Sequence, residues 1–152
     1  MADFGKSLMG KLDRAARGAD QRLRAAVRRA GLAVAGQAQK NVTGGGSSTT
    51  MLNVRTGRLR SSISAVMVGP YAVAVGTNVV YGPIHEYGGE ILPVRSKWLR
   101  FQTPDGQWHT VAKVRIPARP WLRPALEKMR AAVIQIIRSV YAGPLQIGGR
   151  AA

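Results

Sequence analysis

The segment Ile116-Pro-Ala-Arg-Pro-Trp-Leu-Arg-Pro-Ala-Leu126 constrains this chain more than any other stretch of it. Pro117 and Pro120 cannot donate to a β-ladder, and each drives the residue before it toward extended backbone. A strand that enters this segment therefore ends here. Pro124 suits the first turn of a helix, where the N–H it lacks would have had no intrahelical partner. A strand end, a rigid corner and a helix start are predicted in succession. No catalytic group lies in the segment, so its prolines serve to aim one helix.

That helix is predicted from near Pro120, with Leu122, Leu126, Met129, Val133, Ile136 and Val140 on one side. Its large side chains make it the expected source of most of the core. Gly143-Pro144 is the expected stop, glycine for a left-handed cap and proline just beyond. Residues 142–152 read as a tail without periodicity, which either frays or lies on a neighbouring subunit.

At the other end, Phe4, Leu8, Leu12, Ala15, Ala19, Leu23, Val27, Ala30 and Val34 recur at helical spacing, which predicts a long amphipathic helix over residues 1–40. Gly10, Gly18, Gly31 and Gly36 each cost up to about 1 kcal/mol against alanine there, so a bend or break is expected. Arg14, Arg17, Arg24 and Arg28 fall on the opposite face. They read either as a solvated basic surface or as contacts to an acidic partner or DNA. Residues 41–55 include Thr-Gly-Gly-Gly-Ser-Ser-Thr-Thr and predict a flexible linker, because nothing there buries enough apolar area to offset the entropy of ordering.

Strand signals occupy the middle. Ile63 to Val68 and Tyr71 to Val75 are rich in β-branched residues and flank Gly69-Pro70, which predicts a hairpin. Val73-Ala-Val75 is apolar on both faces, so this strand is expected to be central and covered on both sides. A second hairpin is predicted from Lys97–Thr103, the turn Pro104-Asp-Gly106 and a return strand over 107–116. On that return strand Trp108, Ala112, Val114 and Ile116 alternate with His109, Lys113 and Arg115, giving one core face and one wet face. The fold class expected is α+β: an antiparallel sheet of about four strands packed with a long N-terminal helix and a C-terminal helix. At 152 residues a single domain is expected.

The formal charge of +16 favours acidic partners, either nucleic acid or another protein's acidic face. Arginine outnumbers lysine 17 to 6, which suits bidentate contacts to carboxylate or phosphate, although a GC-rich genome gives the same bias. No apolar run approaches the roughly 20 residues of a membrane span, and no membrane partner is expected. The start of the chain lacks the features of a secretory signal, so cytoplasmic synthesis is expected. Asn41-Val-Thr43 then matches a glycosylation acceptor only by chance. With no cysteine there is no disulfide framework, thiolate metal site or cysteine nucleophile.

Catalysis finds little else to work with. His85-Glu86 lacks the second histidine four residues on, Gly89 standing in its place, and the two glycines argue against a helix there. No phosphate-binding loop, dinucleotide fingerprint or serine elbow occurs, and none of the seven acidic residues forms a close pair. No enzyme activity, cofactor or metal is expected. Trp98, Phe101 and Trp108 could stack bases, but such aromatics are more often core or interface residues. A basic DNA- or RNA-binding protein is the alternative function.

Four motifs in order, Thr56-Gly-Arg-Leu-Arg-Ser-Ser-Ile63, Val75-Gly-Thr-Asn-Val-Val-Tyr81, His85-Glu-Tyr-Gly-Gly89 and Ile116-Pro-Ala-Arg-Pro-Trp-Leu122, resemble the virion-morphogenesis or tail-completion family of Mu-like phages. The resemblance spans roughly residues 55–130 and leaves the arginine-rich first helix outside it. It implies a small subunit forming a ring, commonly a hexamer, at the head–tail junction of the virion, assembled in the host bacterial cytoplasm. Such a ring completes the tail, contacts the tail tube and portal-side neck proteins, and lets genomic DNA pass. The implied structural or interface residues are Thr56, Gly57, Leu59, Tyr81, His85, Glu86, Gly88, Gly89, Pro120, Trp121 and Leu122. Gly57, Gly88 and Gly89 would permit tight backbone paths, and Tyr81 and His85 would pin the loop after the first hairpin.

Overall fold

The computed structural model describes residues 2–43, 52, 56–103 and 105–142, with the side chains of the first helix described from residue 7. Of the expected linker 41–55, residues 41–43 belong to the first helix and residues 44–51 and 53–55 lie outside this set, as do Pro104, the Gly143-Pro144 stop, the tail beyond it and the side chain of Phe4. The α+β class is observed. Its elements in chain order are α1 (Ala2–Thr43), α2 (Arg58–Ser62), β1 (Ser64–Gly69), β2 (Ala72–Gly76), α3 (Gly82–Tyr87), β3 (Gly89–Ile91), β4 (Leu99–Gln102), β5 (Trp108–Val111), β6 (Val114–Ile116) and α4 (Leu122–Tyr141). The strands pair two by two, β1 with β2, β3 with β6 and β4 with β5, all antiparallel, in place of one four-stranded sheet.

The chain divides into two compact units. Among the described residues the first holds 2–37, 64–76 and 126–142, and the second holds 38–43, 52, 56–63, 77–103 and 105–125. In the first unit α1 runs without the expected break, as one helix that continues to Thr43. The glycines do not interrupt it, and one of them is used for packing. A Cβ on Gly31 would lie 2.4 Å from Cγ2 of Val73, so β2 approaches α1 at a distance that only glycine allows. Ala26, Ala30, Val34 and Ala35 are buried around that contact, whereas Leu8 and Leu12, nearer the start, are about half exposed. Only the latter part of the predicted stripe is therefore core.

The first hairpin forms as predicted, with Ser64 opposite Gly76 and a bulge between Met67 and Gly69. Alternation sorts its side chains: Ala65, Met67, Val73 and Val75 are half-buried, while Val66, Val68, Ala72 and Ala74 are exposed. The expectation that Val73-Ala-Val75 is covered on both sides is corrected, since one face is open. The turn is tied back by Tyr71, whose hydroxyl donates to Asp20 on α1. Arg24 pairs with the same carboxylate at 2.8 Å and lies over the tyrosine ring. The hydrogen bond from Tyr71 holds the Asp20 carboxyl below the usual carboxylate range, and the carboxylate in turn raises the Tyr71 phenol.

Helix α4 does not supply most of the core. Ala125, in the second unit, is its one buried residue; along the first-unit part Met129, Val133, Ile136 and Val140 are half-buried, and Leu126 and Ile134 are exposed. Among the described residues, α1 contributes half of the buried apolar side chains.

Candidate functional site

In the second unit the proline-rich corner and the His-Glu motif meet. Helix α3 starts at Gly82 with Pro83 in its first turn and ends at Gly88, whose φ of 70° is one that glycine accepts without strain. The sequence argument against a helix here is corrected: Gly88 and Gly89 follow the helix and terminate it, while His85 and Glu86 lie inside its single long turn. Beyond Gly89 the chain pairs as β3 with β6, Gly89 opposite Ile116 and Ile91 opposite Val114. A Cβ on Gly88 would come within 2.8 Å of the backbone nitrogen of Ala118. The α3 end and the proline corner are thus in direct backbone contact.

Glu86, 8% exposed, reaches across this contact to the start of α4. Its carboxylate accepts from the backbone N–H groups of Trp121 at 2.7 Å, Leu122 at 2.8 Å and Arg123 at 2.9 Å. A helix leaves its first four N–H groups without intrahelical partners. Here the fourth position is Pro124, which has none to satisfy, so one glutamate and one proline together account for all four. The charge also lies at the positive end of the helix dipole, where an anion is favoured. Further hydrogen bonds tie the corner together, although the buried His85 Nδ1 and Arg119 Nε have no partner among the described residues. The backbone N–H of Arg119 donates to the His85 carbonyl at 2.7 Å, Asn41 Nδ2 donates to the Trp121 carbonyl at 2.9 Å, and the Trp121 indole N–H donates to the Gly82 carbonyl at 3.4 Å. Trp121 itself is 3% exposed. Pro120 is exposed and Leu122 half-buried, the backbone of Leu122 being the part that Glu86 holds.

The first two motifs join the same assembly. Gly57 takes φ 73° immediately before α2, and Thr56 Oγ1 accepts from the Arg58 N–H at 3.4 Å. Leu59 is buried, with its Cδ1 3.6 Å from where a Cβ on Gly82 would lie. Ser62 and Thr77 share a hydroxyl hydrogen bond of 2.5 Å, and Thr77 Oγ1 also accepts from the Val79 N–H at 3.1 Å. Gln39 Nε2 donates to the Ile63 carbonyl at 3.1 Å. Tyr81 precedes α3 and meets His85 edge to face, ring centroids 5.8 Å apart. The His85 ring is held below its ordinary pKa, first by burial and then by the charge of Arg119; its enclosed Nδ1 has no hydrogen-bond partner among the described residues.

This constellation has the character of a joint. Glu86, its one buried carboxylate, is 8% exposed and accepts three backbone N–H bonds, an arrangement that caps a helix and offers little of the carboxylate to a substrate. An open groove of about 480 Å³ runs beside β3 and β6, between Tyr87–Glu90 and Arg115–Ala118, and its carboxylate, Glu90, is paired with Lys113 at 3.2 Å. Among the described residues no three of His, Cys, Asp and Glu gather as metal ligands would, and no helix is long and apolar enough to cross a membrane. The arginines of α1 lie in the first unit. Arg17 sits 3.9 Å from Asp13 and Arg24 pairs with Asp20, so half of that set is partly neutralised on its own helix, while Arg14 and Arg28 are exposed.

The role of Glu86 as the cap of α4 was not legible beforehand. The signal that could have found it is the pairing of a helix start lacking Ser, Thr, Asp or Asn with an acidic residue in a motif that shows no acid–base partner. Neither a curated protein nor a solved structure matches this chain. The model of the phage virion morphogenesis family matches residues 8–140. The arginine-rich first helix, expected to stand outside the resemblance, therefore falls within the family pattern. With nearly its whole length matched, the chain belongs to the phage virion morphogenesis family.

Proposed function

We propose that this protein is a non-enzymatic subunit of a homo-oligomeric ring that completes the phage tail and joins it to the head, leaving a channel for DNA. The observation that supports this reading is the open outer face of the β1–β2 hairpin, where Val66 is 57% and Val68 67% exposed beside Ala72 and Ala74. Valines this exposed leave apolar area that association can bury, at about 25 cal/mol per Å² removed from water. Two-stranded sheets are marginal alone, and among the described residues each strand of the three pairs keeps one edge without a strand partner. Identical neighbours around a closed ring cover both kinds of surface with one repeated contact, since a heterologous interface that closes leaves no free end.

In that ring the joint around Glu86 is a positioning element: it fixes where α4 leaves the proline corner, and identical copies must share that direction for the ring to close. Thr56, Gly57, Leu59, Tyr81, Gly88, Gly89, Pro120 and Trp121 act through it. Light scattering coupled to gel filtration, followed by negative-stain imaging of the purified protein and of phage lacking it, tests the proposal. Ring particles, and unjoined heads and tails in the deletion, are expected. Normally joined virions without the protein would reject it.

A further inference from the structure

The β4–β5 hairpin presents an exposed face rich in aromatic and basic side chains that the joint does not use. Register places Arg100 opposite Thr110 and Gln102 opposite Trp108, so these four side chains share one face. All four are exposed, Trp108 to 60%, and Trp98 just before β4 is 58% exposed. The Arg100 guanidinium lies 4.8 Å from the centroid of the Trp108 ring, which orients its N–H fork while leaving the edge open to a carboxylate. On the other face Phe101 stacks on His109 at 5.7 Å, stiffening the ribbon. Residues 95–115 hold five basic side chains, Arg95, Lys97, Arg100, Lys113 and Arg115, against one acidic, Asp105. Tryptophan and arginine together are the residues most enriched where binding energy concentrates.

The charge inventory identifies the occupant. The chain has seven carboxylates. Asp13 and Asp20 face arginines on α1, Glu90 faces Lys113, and Glu86 is enclosed by backbone donors. Asp105 belongs to the hairpin's own turn, where hydrogen bonding with Thr103 holds it below the usual carboxylate range. Outside these stand Glu127 on α4 and Asp3, whose side chain lies outside the described residues. Among its described residues a second copy therefore offers Glu127 as its one carboxylate outside these contacts, which makes another molecule the better acidic complement.

We propose that the β4–β5 hairpin, through Arg100, Trp108 and Trp98, docks onto an acidic protein surface of a different virion component. This deepens the ring reading and rests on it only for the location of that component. Head and tail particles purified from phage lacking the protein serve as probes, with a 30-nucleotide single strand and its duplex as controls. Arg100→Glu with Trp108→Ala, and Arg100→Glu alone, are compared with the full wild-type chain for particle binding by co-sedimentation, DNA binding by anisotropy, oligomeric state by light scattering and fold by circular dichroism.

Expected are unchanged fold and oligomeric state, a loss of at least tenfold in binding to one particle type, and wild-type binding that weakens with salt. Unchanged particle binding by both variants would overturn the proposal. So would loss of self-association, which would make the occupant a second copy, or loss confined to DNA binding, which would make it nucleic acid. If the wild type forms no ring yet the variants still lose particle binding, the ring reading fails and the docking surface stands.

Discussion

Glu86 shows how much one side chain can decide. Its carboxylate takes three charge-assisted hydrogen bonds from buried and partly buried backbone, each of a kind worth about 1.5–3 kcal/mol net, and removing it leaves those donors without their acceptor. Glu86→Ala is expected to destabilise the protein by about 2–4 kcal/mol and Glu86→Gln by about half as much, since the amide keeps one acceptor oxygen but loses the charge. Urea unfolding of the three proteins checks this; equal stability of Glu86→Ala and wild type would remove the joint. His85 gives a pH dependence whose sign follows from its environment. Burial and Arg119 lower its pKa in the folded state, so the unfolded chain binds the proton more tightly. The contribution of His85 is fully present above about pH 6.5 and is lost as pH falls below that value toward the folded pKa. The thermal midpoint should therefore drop between pH 7.5 and 5.5, and drop less in His85→Gln.

At the scale of elements, the contact of α1 with β2 turns on a missing side chain. In an exposed helix Gly31→Ala would gain about 1 kcal/mol of propensity. Here the added carbon would lie 2.4 Å from a methyl of Val73, a β-branched side chain with little freedom at χ1, and overpacking of this kind costs about 1–3 kcal/mol. The steric term wins, and Gly31→Ala is expected to be destabilising, whereas Gly36→Ala, with nothing within 4 Å of the new carbon, should be neutral or stabilising. Thermal melts of both variants decide it. Within α1, Gly31 is offset by the packing of Ala26, Ala30, Val34 and Ala35 around its contact with Val73, while nothing in the structure explains how the helix carries Gly10, Gly18 and Gly36. The split of the expected 107–116 strand into β5 and β6 has a comparable cause, for Val114–Ile116 takes β3 as its partner while Trp108–Val111 takes β4.

For the whole molecule, surface left apolar is the informative quantity. Among the described residues twelve apolar side chains are buried while nineteen large ones are exposed, a balance that suits a subunit better than a free monomer. Val66→Lys with Val68→Lys is expected to leave the circular dichroism spectrum unchanged, because both side chains already face solvent, and to abolish self-association by placing two charges where each copy of the proposed interface buries apolar surface. Gel filtration with light scattering measures it. Assembly that survives both lysines would remove this face from the proposed ring contact.

The amino-acid order by itself determined the local events. Proline corners, both hairpins, the two long helices and the α+β class depend on backbone dihedrals and periodicity, which act over a few residues. The four motifs carried the family, because they preserve those local constraints in a fixed order. Tertiary structure alone decided which apolar faces are covered, which strands pair, and what Glu86 holds. Those outcomes depend on residues 24 to 80 positions apart meeting in space, as Gln39 meets Ile63 and Asn41 meets Trp121. Hydrophobic pattern says that a face wants cover; only packing shows whether this chain, or a neighbour, provides it.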